Sequence, residues 1–260
     1  MQVQSNMNRE RIAVISGARA GIGRATAELL RSRGWQVLGI GRSDTDIEAN
    51  LSQSSGRKTA LAEVASKCPD GIDALITAAG VSALEGETVV SLNFFGTTEL
   101  LLGLRNLLAK RRSPRVVVVS SLAAVLRTDP ILLEALGAYD EPRAIAAARD
   151  NPLLAYATSK RALSLWVRHQ AVTETWAGAG ILINGVAPGL VDTDFIHKMQ
   201  ADPVIAERLK QAPRALKHLC EPEEIAHLIA FLASPENTNL VAQTIFSDGG
   251  GDAILRADHL

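Results

Sequence analysis

Three side chains of this 260-residue chain have the types and spacing to move a proton together. Tyr156 and Lys160 lie in YATSK, and Ser121 ends the run VVVVSS. Four residues apart, Tyr156 and Lys160 share one face of a helix. A phenol titrates near ~10. A neighbouring ammonium favours the phenolate, so the pair predicts a tyrosine whose pKa is lowered towards neutrality, fit for general acid–base work. A hydroxyl at Ser121 could hydrogen-bond a substrate carbonyl, while strand alternation sends Ser120 the other way. Each group also has a plain reading: a half-buried tyrosine above a surface lysine, and a loop serine after a strand. Asn93, in SLNFFG, is either a helix-start residue or a buried polar group that orients others.

A second constellation would hold a ligand rather than react with it. SGARAGIG (16–23) follows an apolar run and opens a helical pattern. Gly17 permits a tight turn. Gly21 and Gly23 let a pyrophosphate approach free N–H groups at a helix N-terminus. The spacing, G-x-x-x-G-x-G, differs from the commoner G-x-G-x-x-G, and a glycine-rich turn without a ligand would carry the same letters.

These groups need a frame, and the chain supplies an alternating one. IAVIS (12–16), WQVLGI (35–40), DALIT (73–77), PRVVVVSS (114–121), GILINGVAP (180–188) and QTIFSDGG (243–250) read as strands. Helical spacing runs through 24–34, 56–68, 88–110, 154–177 and 221–234, with Gly34 closing the first. Strands without in/out alternation, separated by helices, predict a doubly wound α/β fold with a parallel sheet covered on both faces. Ligands then sit at the carboxyl ends of the strands, so chemistry should cluster just after 16, 41, 77, 121 and 188. Residues 1–10 read as a polar, frayed tail and 11–260 as one domain. Net charge of −1 without a basic run argues against nucleic acid as a partner. Cys68 and Cys220 stand apart, outside any metal-ligand spacing. No apolar stretch approaches bilayer length, so a soluble cytoplasmic protein is expected.

In their joint order these features resemble the short-chain dehydrogenase/reductase family over residues 12 to about 251. That resemblance implies that Tyr156 is the general acid/base and that Lys160 lowers its pKa and holds the nicotinamide ribose. Ser121 then positions the substrate oxygen, and Asn93 orders a water beside the lysine. Pro188, Gly189 and Thr193 match P-G-x-x-x-T, whose threonine holds the carboxamide, and Asp248-Gly249-Gly250 matches a closing D-G-G. Cofactor contact is implied for Gly17, Arg19, Gly21, Ile22, Gly23, Gly41, Arg42, Asn50, Leu51, Ala78, Ala79, Gly80, Pro188, Gly189, Val191 and Thr193, besides Tyr156 and Lys160. The reaction implied is hydride exchange between nicotinamide and the carbon of a ketone or alcohol, without a metal. Relatives commonly form dimers or tetramers, and a homo-oligomer is expected here.

The departures from the family pattern indicate a branch. TAAG (77–80) stands where N-N-A-G is usual, the link from Gly41 to DIEANLS (46–52) is too short for a helix, and Gly80 to Asn93 is short as well. About 27 residues, 126–152, are inserted between Ser121 and Tyr156, with helices expected at 131–137 and 141–149. The combination resembles the bacterial 3α-hydroxysteroid dehydrogenase/carbonyl reductase branch, which coniferyl-alcohol dehydrogenases share. Ile131, Leu132, Leu133 and Leu136 could form one apolar wall of a substrate pocket. Phe195, Ile196 and Met199, in a substrate loop at about 190–215, could form the other. Packing against the domain or a second subunit would use the same residues. A bulky ketone, an aromatic alcohol and a non-catalytic dinucleotide sensor are the readings to separate. An enoyl reductase fits poorly, because that branch spaces its tyrosine and lysine more widely.

VLGIGRSD (37–44) bears on the cofactor. NAD-preferring relatives carry an acid at the end of this strand for the ribose 2′-hydroxyl. Gly41 stands there instead, leaving room, and Arg42 follows, with Arg19 able to approach. A guanidinium pairs well with phosphate, so NADP(H) is favoured. Asp44 or Asp46 swinging in would restore NAD(H).

Overall fold

A computed structural model of the chain describes residues 10–82, 85–201 and 203–258. Of the expected tail, residues 1–9 lie outside the described residues. Seven strands form one sheet in the order β3-β2-β1-β4-β5-β6-β7, every neighbouring pair parallel. They are β1 (Ile12–Ser16), β2 (Gln36–Gly41), β3 (Ile47–Glu48), β4 (Ala74–Thr77), β5 (Arg115–Val119), β6 (Leu182–Pro188) and β7 (Thr244–Ser247). The order reverses between β1 and β4, which opens a crevice at their carboxyl ends.

Alternate residues of each strand serve opposite faces. Val14, Leu38, Leu75, Val116 and Val118 join a core with α2 (Ser54–Lys67), α4 (Gly96–Leu108) and α7 (Pro152–Gln170). Ala13, Ile15, Ile76, Val117 and Val119 join a second core with α1 (Gly21–Ser32) and α10 (Pro222–Ala233). Burial on both faces explains why these strands read as continuous apolar runs.

Several elements differ from the expected boundaries. A two-residue strand, β3, pairs with Ile40 and Gly41; it is too short to leave a periodic signal. The expected helix at 88–110 is α3 (Gly86–Val90), a wider π-type turn at Ser91–Phe95, and then α4. The helix expected at 154–177 ends at Gln170, and 171–180 turns back towards β6. The segment expected as a loop at 190–215 holds α8 (Asp194–Gln200) and α9 (Pro203–Lys210), and α11 (Gly251–Leu255) follows β7.

The insertion forms α5 (Pro130–Gly137) and α6 (Glu141–Asp150), close to the expected limits. Asp129 begins it as an N-cap, accepting from the amides of Ile131 and Leu132 at 2.9 and 3.0 Å. The same carboxylate accepts from Asn151 at 3.2 Å, and the Asp129 amide donates to Thr158 at 3.0 Å. The two ends of the insertion are thereby stapled to the start of α7, beside Tyr156. Further along, Arg57 of α2, 2% exposed, donates to Glu141 at 2.6 and 3.1 Å and to Glu99 at 2.9 Å. Tyr139, between α5 and α6, accepts from the Trp166 indole and packs on Phe94. Leu132 and Leu136 are fully buried in the core, whereas Ile131 is 59% exposed. Leu132 and Leu136 thus do not form the pocket wall expected of them, because α5 turns their face inward.

Candidate active site

Parallel strands point their carboxyl ends to one edge, and the expected chemical groups collect there. Ser121 follows β5 in extended conformation and caps a short turn at Leu122–Val125, accepting from the Ala123 amide at 3.1 Å. Its neighbour Ser120 faces the other way, as alternation demands: its hydroxyl bonds the Lys160 carbonyl at 3.0 Å and Ser164 at 2.8 Å. This second serine therefore ties β5 to α7 rather than facing the crevice. Tyr156 and Lys160 stand on one face of α7, the ammonium 5.9 Å from the centre of the phenol ring.

Asn93 is fully buried in the π-type turn. Its side chain accepts from the Val81 amide at 2.9 Å and donates to the Val81 carbonyl at 3.0 Å and to Ser159 at 3.3 Å. Gly80 lies against it: a methyl group there would sit 3.3 Å from Asn93 Oδ1 and 3.5 Å from Lys160 Nζ. Asn93, Gly80 and Lys160 thus meet behind Tyr156, although they come from three separate segments.

The electrostatics correct the expected pKa of the tyrosine. Burial raises Tyr156 above its ordinary value, and a hydrogen bond from Ser121 only partly opposes this. Lys160 does not pull it down in this arrangement. Its ammonium gives one of its three N–H groups to the Val119 carbonyl at 2.9 Å, and burial lowers it to about 8. Desolvation penalises both charged forms, and four-residue spacing on a helix says nothing about depth.

The dinucleotide crevice has the geometry of a cradle. α1 begins at Ala20–Gly21 with no side chain capping its first turn, which leaves N–H groups for an anion. Gly17 has φ of +74°, and a Cβ on it would lie 2.7 Å from the Ala79 amide, so only glycine fits. Ala79 also donates to Ser16 Oγ, which brings 78–80 against the glycine loop. A methyl group on Gly21 would meet Thr193 at 3.2 Å. Glycine loop, TAAG and P-G-x-x-x-T therefore face one crevice, and Gly189 packs on Asp248 of the D-G-G. These residues fit an extended dinucleotide. Gly23 and Ile22 belong to α1, and Pro188 ends β6. Val191 and Leu51 are buried, so they can offer a cofactor little but backbone, and Asn50 is turned onto Ser52 at 2.8 and 3.2 Å.

At the end of β2 the expected room is partly taken. A Cβ on Gly41 would lie 2.8 Å from the methyl of Thr45. Arg42 is exposed, and Arg19 reaches across to Ser43 at 3.0 Å and Asp44 at 3.4 Å. Asp46 instead accepts from the Gly39 amide at 2.7 Å and from Arg31 at 3.3 Å. On the substrate side the Phe195 ring packs on Tyr156, centres 6.1 Å apart, with Met199 half-buried on the same helix and Ile196 turned into the protein. Among the described residues no group of histidine, cysteine and acidic side chains could hold a metal. No helix among them is long and apolar enough to cross a membrane.

Comparison with known proteins agrees with this geometry. A family model described as short chain dehydrogenase matches residues 11–130, and one described as Enoyl-(Acyl carrier protein) reductase matches 143–252. A 3-alpha-hydroxysteroid dehydrogenase/carbonyl reductase of Comamonas testosteroni is 38% identical over 254 residues, which cover 94% of this chain and 98% of that one. The 3-alpha-hydroxysteroid dehydrogenase of Pseudomonas sp. B-0831, solved with NADH, superposes with a TM-score of 0.91 at 39% identity, covering 96% of this chain and all of that one. A 3-oxoacyl (acyl-carrier-protein) reductase of Agrobacterium tumefaciens C58 with NADP bound shares the fold at 23% identity, TM-score 0.72, covering 96% and 99% of the two chains. The chain belongs to the short-chain dehydrogenase/reductase family. It is an oxidoreductase.

Proposed function

We propose that this protein interconverts a bulky, largely apolar ketone or aldehyde and its alcohol, with a preference for NADP(H). One observation carries the chemistry: the hydroxyls of Ser121 and Tyr156 meet at the carboxyl edge of β5, with Lys160 and Asn93 buried behind them. The nicotinamide, when bound, supplies or accepts the hydride. Tyr156 donates a proton to the nascent alkoxide or removes it from the alcohol, and Ser121 steadies the oxygen. A phenol raised above its ordinary value is held protonated at neutral pH, so Tyr156 carries the proton to be given, though burial makes it the weaker acid. Lys160 holds the nicotinamide ribose, and Asn93 fixes the backbone of 80–81 beside it. The Thr193 hydroxyl and the 188–191 backbone hold the carboxamide. Phe195 and Met199 cover the substrate, which suits an apolar body. Similarity to the Comamonas and Pseudomonas enzymes supports a hydroxysteroid or comparable ring ketone.

The cofactor preference rests on β2. Gly41 offers no carboxylate to a 2′-hydroxyl, while Arg42 is exposed and Arg19 is beside Ser43. The two acids that might replace it are engaged, Asp44 with Arg19 and Asp46 with Gly39 and Arg31. A 2′-phosphate would find the Arg42 guanidinium, and that of Arg19 in exchange for its exposed contact with Asp44, with no carboxylate at Gly41. This departs from the NADH-bound Pseudomonas relative. We place the protein in the cytoplasm as a homodimer or homotetramer.

The test is a panel of 3-oxosteroids, aromatic ketones and aryl alcohols, run with both cofactors and followed by nicotinamide absorbance. Turnover of a ring ketone with kcat/KM at least about tenfold higher for NADPH than for NADH is expected. Equal or better efficiency with NADH overturns the cofactor assignment. Turnover confined to aryl alcohols would move the protein to the coniferyl-alcohol type. No turnover with tight cofactor binding would make it a sensor.

A further inference from the structure

The start of α7 carries Tyr156 but has no cap of its own. Asn151 is the N-cap residue, and its side chain makes no capping hydrogen bond. Leu153, in the first turn, is exposed. Uncapped helix ends fray, and Tyr156 stands just past this one. The place of the phenol beside Ser121 therefore depends on contacts from outside the helix.

Asp129 supplies them. It is buried, and it joins the short turn that follows Ser121 to α5. Its two carboxylate oxygens do different work. Oδ1 caps α5 through the amides of Ile131 and Leu132. Oδ2 accepts from Asn151 Nδ2 at 3.2 Å, across 22 residues of chain. The Asp129 amide donates to the fully buried Thr158 hydroxyl, which in turn donates to the Leu154 carbonyl at 2.7 Å. One residue thus grips α7 on both sides of Tyr156, at Asn151 before it and at Thr158 after it. Beyond Tyr156, Arg161 donates to the Ala124 carbonyl at 3.3 Å, in the turn that Ser121 caps. The stretch from Ser121 to Asp129 and the start of α7 are therefore clasped together, with the two reacting hydroxyls between.

We propose that Asp129 is a positioning residue for Tyr156: its hold on Asn151 and Thr158 fixes the start of α7 so that the phenol stays against Ser121. The insertion then serves proton transfer through its base, whatever its helices cover. A carboxylate suits this place because it can cap α5 with one oxygen and keep the other for Asn151. The inference rests on the reading of Tyr156 as proton donor, and its first readout needs no substrate.

The chain has two tyrosines, so tyrosine labelled for NMR at its hydroxyl-bearing carbon gives two resonances, which Tyr156→Phe assigns. Asn151→Asp is the breaking variant, because it sets a second carboxylate against Asp129 Oδ2. As a helix N-cap alone, aspartate equals asparagine, so without the clasp the change would be neutral. With the clasp, the Tyr156 resonance should shift or broaden. Reduction of a 3-oxosteroid in single turnover should slow about 10- to 100-fold while NADPH binding holds. Adding Asp129→Asn exchanges donor and acceptor, still caps α5, and should return both readouts towards wild type. Glu141→Gln loosens the tie between the insertion and Arg57 and should lower Tm with both readouts in place. An unmoved resonance and rate in Asn151→Asp overturn the proposal. So does a double variant that fails to recover, or a Glu141→Gln enzyme with the same shift, which would make the effect a general loosening. A resonance that shifts and is restored in a protein reducing no ketone would keep the role of Asp129 and sink the reductase reading instead.

Discussion

The β5–α7 wall and the segment from 190 to 220 border the same crevice but are built in opposite ways. The first is welded: Ser120 bonds α7, Lys160 bonds Val119, and Asn93 is fully buried. The second is made of two short helices and turns with exposed positions. The difference teaches that chemistry and selectivity are separated in this molecule. Proton transfer needs groups held to fractions of an ångström by packed neighbours. Substrate choice is usually carried by such exposed connecting segments set on a rigid frame.

The insertion repeats the contrast in small. Its inner face belongs to the core through Leu132, Leu136 and the Arg57–Glu141 pair. Its outer face shows Ile131 to solvent, 59% exposed.

Replacing residues on each side should show the separation, and the largest effect belongs to the welded wall. Tyr156→Phe should lower kcat about 10²- to 10⁴-fold while NADPH binding, followed by fluorescence titration, persists. Unchanged kcat would assign proton transfer to another group. Leu132→Ala should cost about 2–5 kcal/mol in urea unfolding, since it empties a fully buried site.

Lys160 gives an intermediate effect with a definite sign. Its folded value of about 8 lies below the unfolded 10.5, so the unfolded chain binds more protons between these pH values. Its contribution to stability is lowest below about pH 8 and grows as pH rises. Cofactor-free enzyme should gain about 2 kcal/mol from this group between pH 8 and 10, and Lys160→Met should lose that slope. Tyr156, raised above 10, opposes the gain only at higher pH. Denaturant midpoints across the window decide it.

The smallest effect should come from the insertion's outer face. Ile131→Ala should alter stability by less than about 0.5 kcal/mol. If Ile131→Ala instead raises KM for an apolar ketone with kcat preserved, the outer face reaches the substrate and the insertion belongs to the pocket as well as the core.

The sequence by itself determined the sheet, because strands buried on both faces must be apolar at every position. It also determined which side chains stand at the carboxyl ends, since topology follows from the βαβ alternation. Ser121 against Ser120, Gly17 in its turn, and Tyr156 beside Lys160 were legible for that reason. Tertiary structure alone decided how deep they lie, and so the direction of the Tyr156 shift, because desolvation depends on what other segments cover. It alone placed Thr45 in the space at Gly41 and turned Leu132 inward. It joined Arg57 to Glu99 and Glu141, 42 and 84 residues away. Contacts between distant segments carry no local periodicity, so a charged residue buried in an ion pair and one left in solvent look the same in the chain.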